Sequence, residues 1–253
     1  MSSQNTPASG ISRVAVVTGA GGGLGRAFST ALARDGWTVA ALGRTLSSLS
    51  ETVTACAAAS AADNSPQPHS AVVCDVTDET SVVDAVRTVT DRYGRLDVLV
   101  NNAGSPGPTG RIDGVDAEAF EHTLRTNALG TFLCTREVFA WMASHGGGRI
   151  INNGSIAAHA PRAGVAAYAA SKAAVASLTV STALDGRDLG ITATELDIGN
   201  ARTELLSTFS STEPMFDATE AARLLVTVAD LPADVSVDAV TVTAAGMPYL
   251  GRG

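Results

Sequence analysis

The chain has 253 residues, 45% of them hydrophobic, enough to bury one large α/β core within a single domain. Its 25 acidic against 17 basic side chains leave a formal net charge of -8, which opposes a nucleic-acid-binding surface, because such surfaces cluster Lys and Arg to neutralise phosphates. Cys56, Cys74 and Cys134 are odd in number and widely spaced, so neither a disulfide framework nor a cysteine-based metal site is expected, and a reducing compartment suits them.

The first ten residues, MSSQNTPASG, are polar and carry no apolar h-region; residues 1–10 are expected to form a loose tail ahead of one domain spanning 11–253. No stretch approaches the ~18 apolar residues of a membrane span, so a soluble, cytoplasmic protein with no membrane partner is expected. Short β-rich runs recur at 14–19, 38–42, 71–74, 97–102, 149–153, 191–197 and 237–242, with helix-favouring windows at 24–35, 46–61, 79–93, 117–144, 166–185 and 218–229. This alternation predicts repeated βαβ units: a doubly wound parallel sheet of about seven strands with helices on both faces. The strands are apolar without alternation, as burial on both faces requires.

After the first run comes Thr18-Gly19-Ala20-Gly21-Gly22-Gly23-Leu24-Gly25, which opens the first helical window. Glycines let the backbone turn tightly and approach a ligand, and free amides at a helix N-terminus attract a pyrophosphate. A glycine run alone can be a flexible turn; strand, glycines and helix in this order point to a dinucleotide. The second strand ends in Gly43-Arg44, where an NAD-selective site places an acidic residue for the ribose hydroxyls. Arg44 offers a planar charged fork to a 2'-phosphate, so NADP(H) is the preferred cofactor and NAD(H) an open alternative; Arg44 could also be a solvated surface charge. Asp75, closing the third strand, could contact an adenine ring or cap the next helix.

Tyr168 and Lys172 stand four residues apart in a helical window, which puts phenol and ammonium on one face. A free Tyr has a pKa of ~10, and a neighbouring cation favours the phenolate. Ser155 lies thirteen residues before the tyrosine at a strand end, and Asn127 lies twenty-eight residues earlier still, inside a helical window where Asn is unfavourable. Each residue alone has an ordinary explanation: surface pair, turn serine, solvated asparagine.

Together, TGAGGGLG, Asp75, Asn101-Asn102-Ala103-Gly104, Asn127, Ser155 and YAASK resemble the ordinary, non-extended short-chain dehydrogenase/reductase family, over residues 13–243. The resemblance implies a Rossmann fold and hydride transfer between a nicotinamide cofactor and a small carbonyl or alcohol substrate. Tyr168 would be the general acid/base, Ser155 would polarise the carbonyl, Lys172 would bind the nicotinamide ribose and lower the tyrosine pKa, and Asn127 would hold a water in a proton relay. Cofactor contacts are implied at Gly19, Gly21, Gly22, Gly23, Leu24, Gly25, Arg44, Asp75, Val76, Asn102, Ala103, Gly104, Tyr168, Lys172, Gly199 and Thr203.

The sequence departs from the family after the sixth strand, where Ile198 replaces the usual proline before Gly199. A short substrate lid is expected near 203–217, with His159 and Arg162 as polar handles facing substrate. A homotetramer or homodimer is expected through the windows 117–144 and 166–185, where Ala173, Ala174 and Ala176 permit close approach. Two rivals stay open: a silent NADP(H)-binding sensor of the same fold, and a nicotinamide-dependent isomerase.

Overall fold

The computed structural model describes residues 12–60, 68–202 and 213–247; Thr203, most of the expected lid, the tail 1–10 and residues 248–253 lie outside them. The sheet strands are β1 (Val14–Thr18), β2 (Thr38–Gly43), β3 (Ser70–Val73), β4 (Val98–Asn101), β5 (Gly148–Asn153), β6 (Ile191–Gly199) and β9 (Ala239–Thr243). They pair in the order β3-β2-β1-β4-β5-β6-β9, all in parallel. The seven-stranded, doubly wound fold is the one the alternation predicts. Two short strands, β7 (Ala201–Arg202) and β8 (Phe216–Asp217), pair beside the main sheet, and no periodicity announced them.

Helices α1 (Gly23–Arg34), α2 (Leu46–Ala59), α3 (Glu79–Tyr93), α4 (Ala117–Leu124), α5 (Gly130–Ser144), α6 (Ala166–Gly186) and α7 (Ala218–Ala229) cover both faces. Phe28, Leu32, Leu49 and Leu225 fill one side of the sheet, and Val82, Val89, Leu133 and Met142 the other. Each such side chain contributes roughly 1.5–3 kcal/mol on burial. β1 is buried along its whole length, which places its C-terminal end, and the glycine turn after it, at the centre of one sheet edge.

The expected helix over 117–144 is interrupted. A π-helical turn, Arg125–Leu129, separates α4 from α5, and its extra residue brings Asn127 inward to 1% exposure. The unfavourable propensity of Asn is answered there by hydrogen bonds inside the protein, and π turns of this kind frequently mark functional sites.

Candidate active site

Three helix starts carry an aspartate cap, whereas α1, α2 and α6 begin with no side-chain cap and no acidic residue in the first turn. Asp78, Asp116 and Asp217 cap α3, α4 and α7, their side chains accepting from the amides of Ser81, Ala119 and Thr219. The first helix begins at Gly22, with no side-chain cap and no acidic residue in its first turn, so its amides and dipole are free for an anion. The turn is also too tight for side chains. Gly19 has φ +62°, and a Cβ there would lie 2.8 Å from Ala103 Cα; one at Gly25 would overlap the Gly19 carbonyl oxygen.

Side chains outside the glycine motif hold this turn. Thr52 donates to the Ala20 carbonyl at 2.8 Å, and Arg26 donates to the Gly21 carbonyl at 2.8 Å and to Thr52 Oγ1 at 3.0 Å. The Thr18 hydroxyl accepts from the amides of Asn102 (2.9 Å) and Ala103 (3.0 Å). Asn102 Nδ2 donates to the Thr18 carbonyl at 3.0 Å. Asn101 points the opposite way, into the core, donating to Asn152 Oδ1 and Thr135 Oγ1, both at 2.9 Å. The two adjacent asparagines thus divide the work, one locking β4 to β5 and the other locking β4 to the glycine turn.

A cleft of about 1000 Å³ opens along this edge. Gly19, Gly22, Gly23, Leu24, Asn102, Ala103 and Gly104 line one end; Ser155, Tyr168, Lys172, Ile198 and Gly199 line the other. Lys172 Nζ donates to the Asn153 carbonyl at 2.6 Å and stands 5.7 Å from the centre of the Tyr168 ring. The Ser155 hydroxyl, 5% exposed as a residue, accepts from the Ala157 amide at 3.2 Å. Behind them Asn127 Nδ2 donates to Ser171 Oγ (2.8 Å) and to the Ser105 carbonyl (2.9 Å), while its Oδ1 accepts from the Ser105 amide at 2.7 Å. Ser171 donates in turn to the Tyr168 carbonyl at 2.7 Å. The π turn is thereby tied to the helix that carries Tyr168.

Of the other expected residues, Asp75, Val76, Arg44 and His159 lie outside the cleft lining, whereas Arg162 lines it. Asp75 accepts from both the amide and the hydroxyl of Thr77, at 2.9 and 2.8 Å, and the amide bond, with the nearby Arg44 charge assisting, holds its carboxyl below the usual range. The cap of α3 falls to Asp78 instead. Val76 packs in the core against Gly130, where an added Cβ would meet its Cγ2 at 2.7 Å. Arg44 is exposed and forms no hydrogen bond or ion pair among the described residues. Arg162 is paired with Glu213 at 2.6 Å, and His159 Nε2 lies 3.0 Å from Asp197 Oδ2. Burial pushes the thiols up, to about 12 at Cys56 and about 11 at Cys74.

Sequence reasoning missed Thr18, Arg26, Thr52, Asn153, Ser171, Glu195 and Asp197. Ser171 lies inside the YAASK motif and Asn153 ends a strand whose last residues read Asn-Asn, and these were signals of a kind. Nothing local marks Arg26 or Thr52, whose partners are 5 to 32 residues away.

A doubly wound parallel sheet with an uncapped glycine turn at its first strand–helix junction is the architecture of dinucleotide-dependent enzymes. The short chain dehydrogenase family profile matches residues 13–214, and the chain belongs to that family of oxidoreductases. The short chain dehydrogenase mpl6 of Monascus purpureus is 37% identical over 196 residues, 77% of this chain and 67% of the relative. Farnesol dehydrogenase of Aedes aegypti is 31% identical over 94% of this chain and 98% of its own length. An actinorhodin polyketide ketoreductase variant crystallised with NADPH superposes with a TM-score of 0.83 at 27% identity, over 94% of this chain and 98% of the other.

Proposed function

We propose that the protein is an NADP(H)-dependent carbonyl reductase or alcohol dehydrogenase acting on an apolar, uncharged ketone or secondary alcohol. The observation that carries this reading is one cleft joining the uncapped glycine turn to Ser155, Tyr168 and Lys172. The residues fit the cofactor: Gly19, Gly22 and Gly23 line the cleft with no side chain, and the first turn of α1 holds no acidic residue and no side-chain cap. Gly19, Gly22, Gly23 and Leu24 would hold its phosphates, and Asn102 to Gly104 its neighbouring ribose. When bound, the nicotinamide supplies or accepts the hydride.

The protein's own part is proton transfer. Ser155 hydrogen-bonds the substrate oxygen, and Tyr168 gives it a proton in reduction or takes one in oxidation. The Lys172 ammonium stands beside the ring, and its bond to the Asn153 carbonyl fixes its place. Asn127 supports a relay to solvent through the π turn. Arg44, exposed at the end of β2 and without a hydrogen bond or ion pair among the described residues, reads the 2'-phosphate. Substrate meets Pro106, Ile156, Ala157, Val165 and Met215, and among the described residues the basic side chain lining the cleft besides Lys172, Arg162, is paired with Glu213; this favours an uncharged substrate. Exposed Phe132 on α5 and Val180 and Leu184 on α6 support a homo-oligomer through those helices, to be checked by light scattering.

The test is direct. Purified protein shifts the nicotinamide fluorescence of NADPH and oxidises it with apolar ketones, and carboxylated analogues react more slowly. Tight NADPH binding with no turnover across the panel would instead identify a nucleotide sensor.

A further inference from the structure

Glu195 and Asp197 stand two residues apart on β6 and project from one face of the sheet. Their side chains are 6% and 1% exposed, and Glu195 Oε1 and Asp197 Oδ1 are buried without a hydrogen-bond partner. Two carboxyls buried side by side are costly, and apolar residues of similar size would cost less. What surrounds them is the turn that carries Ser155. A Cβ at Gly154 would overlap Asp197 Oδ1 and approach Glu195 Oε1 to 2.9 Å, so the backbone just before Ser155 rests on both carboxyls. The Ser155 amide faces Asp197 and favours its charged form. At the other end of the turn His159 Nε2 reaches Asp197 Oδ2 at 3.0 Å and Glu195 Oε2 at 3.8 Å.

We propose that Asp197 is a positioning residue for Ser155: backed by Glu195 and met by His159, it clamps the turn 155–159 onto β6 and so aims the Ser155 hydroxyl at the substrate oxygen. The inference rests on the reductase reading above. Asp197 holds the turn at its fifth residue through His159 and packs against the backbone at Gly154, just before its first, and the main-chain bond from the Gly154 amide to the Leu196 carbonyl, 2.9 Å, aligns the approach. The Ser155 hydroxyl bonds within the turn to the Ala157 amide, so its direction follows the turn.

The groups that face the pair are His159 from the turn, which favours the ionised form of both carboxyls, and Lys172 from α6, which favours that of Glu195. Burial outweighs them and pushes Glu195 up to about 7, the adjacent Asp197 adding to the rise. Deprotonation of Glu195 as pH rises through that value places a buried negative charge beside Asp197, and the clamp loosens.

The experiment measures kcat, KM and NADPH affinity for Asp197→Asn, His159→Ala, His159→Gln and Glu195→Gln, with hydrogen exchange of amides 155–160. Expected for Asp197→Asn is a kcat at least tenfold lower on a ketone the wild type reduces, NADPH affinity within twofold, and faster exchange confined to the turn. His159→Ala, on the surface and so able to fold even where a buried variant does not, lowers kcat several-fold, and His159→Gln, which can still donate, restores it. Glu195→Gln removes a fall in kcat that the wild type shows above pH 7. Wild-type kcat in both Asp197→Asn and His159→Ala, or loss of cofactor affinity in step with kcat, overturns the clamp. So does stoichiometric Zn²⁺ uptake that raises Tm and vanishes in Asp197→Asn, which would make the cluster a metal site. If the wild type reduces no ketone, the reductase reading fails by itself, and unchanged exchange at 155–160 in the variants still decides against the clamp.

Discussion

The two ends of the cleft are built on opposite principles. The glycine-turn end works by leaving things out: Cβ atoms at Gly19 and Gly25, a capping side chain at Gly22, an acidic residue in the first turn of α1. The Ser155 end works by packing polar groups in, with Asn127, Ser171, Lys172, Glu195 and Asp197 all buried. The first end offers backbone amides to any pyrophosphate of the right shape. The second must hold specific side chains at fixed angles, and buried networks of that kind are costly when half satisfied. On the proposed function, the difference teaches that binding depends on main-chain shape, whereas chemistry depends on side-chain bonds that cross several elements.

That contrast breaks most sharply at Tyr168. Tyr168→Phe removes the transferable proton and leaves the glycine end intact, so kcat should fall about 10²- to 10⁴-fold while NADPH titration by fluorescence gives nearly the wild-type affinity. Gly25→Ala does the reverse. Its Cβ overlaps the Gly19 carbonyl, so it should destabilise the fold by about 1–3 kcal/mol in urea unfolding and weaken both NADPH and NADH. Activity at saturating cofactor should then be largely retained.

Arg44→Ala sharpens the comparison within the binding end. It should weaken NADPH by about 1–3 kcal/mol, the scale of a hydrogen bond to a charged group, and leave NADH unchanged; equal loss of both would remove Arg44 from phosphate recognition.

The smallest expected effect concerns stability against pH. Glu195 titrates about 7 in the folded protein, above its unfolded value of ~4.3. Its protonated form is therefore favoured by folding: the contribution is full below the unfolded value and is lost as pH rises through about 7. Asp35, raised to about 6 by burial and by its hydrogen bond with Asp230, acts in the same direction. Wild-type Tm should fall by about a few °C between pH 5 and 8, and Glu195→Gln should flatten that slope up to about pH 7, leaving the Asp35 part below about 6.

The fold was largely legible in the sequence. The inner strands β1, β2 and β4 coincide with apolar runs, because a parallel strand covered on both faces needs nearly every residue to be apolar, whereas β5 and β6 carry buried polar residues such as Asn152, Glu195 and Asp197. Glycine spacing marked the turn, and the Tyr168–Lys172 spacing marked one helical face. Less legible was the break at Asn127, because a π turn is stabilised by partners at Ser105 and Ser171 that lie 22 and 44 residues away. The expected polar handles also changed meaning: Arg162 spends its charge on Glu213 and His159 on Asp197.

By itself the sequence determined the strand–helix alternation, the glycine turn, and which residues meet at the sheet edge, since these follow from local spacing and side-chain type. Only the tertiary structure decided how they are held. The bonds from Thr18 to β4, from Arg26 and Thr52 to the glycine turn, and from Asp197 to the Ser155 turn join residues far apart in the chain, and their geometry exists only once the sheet has brought those strands and helices together.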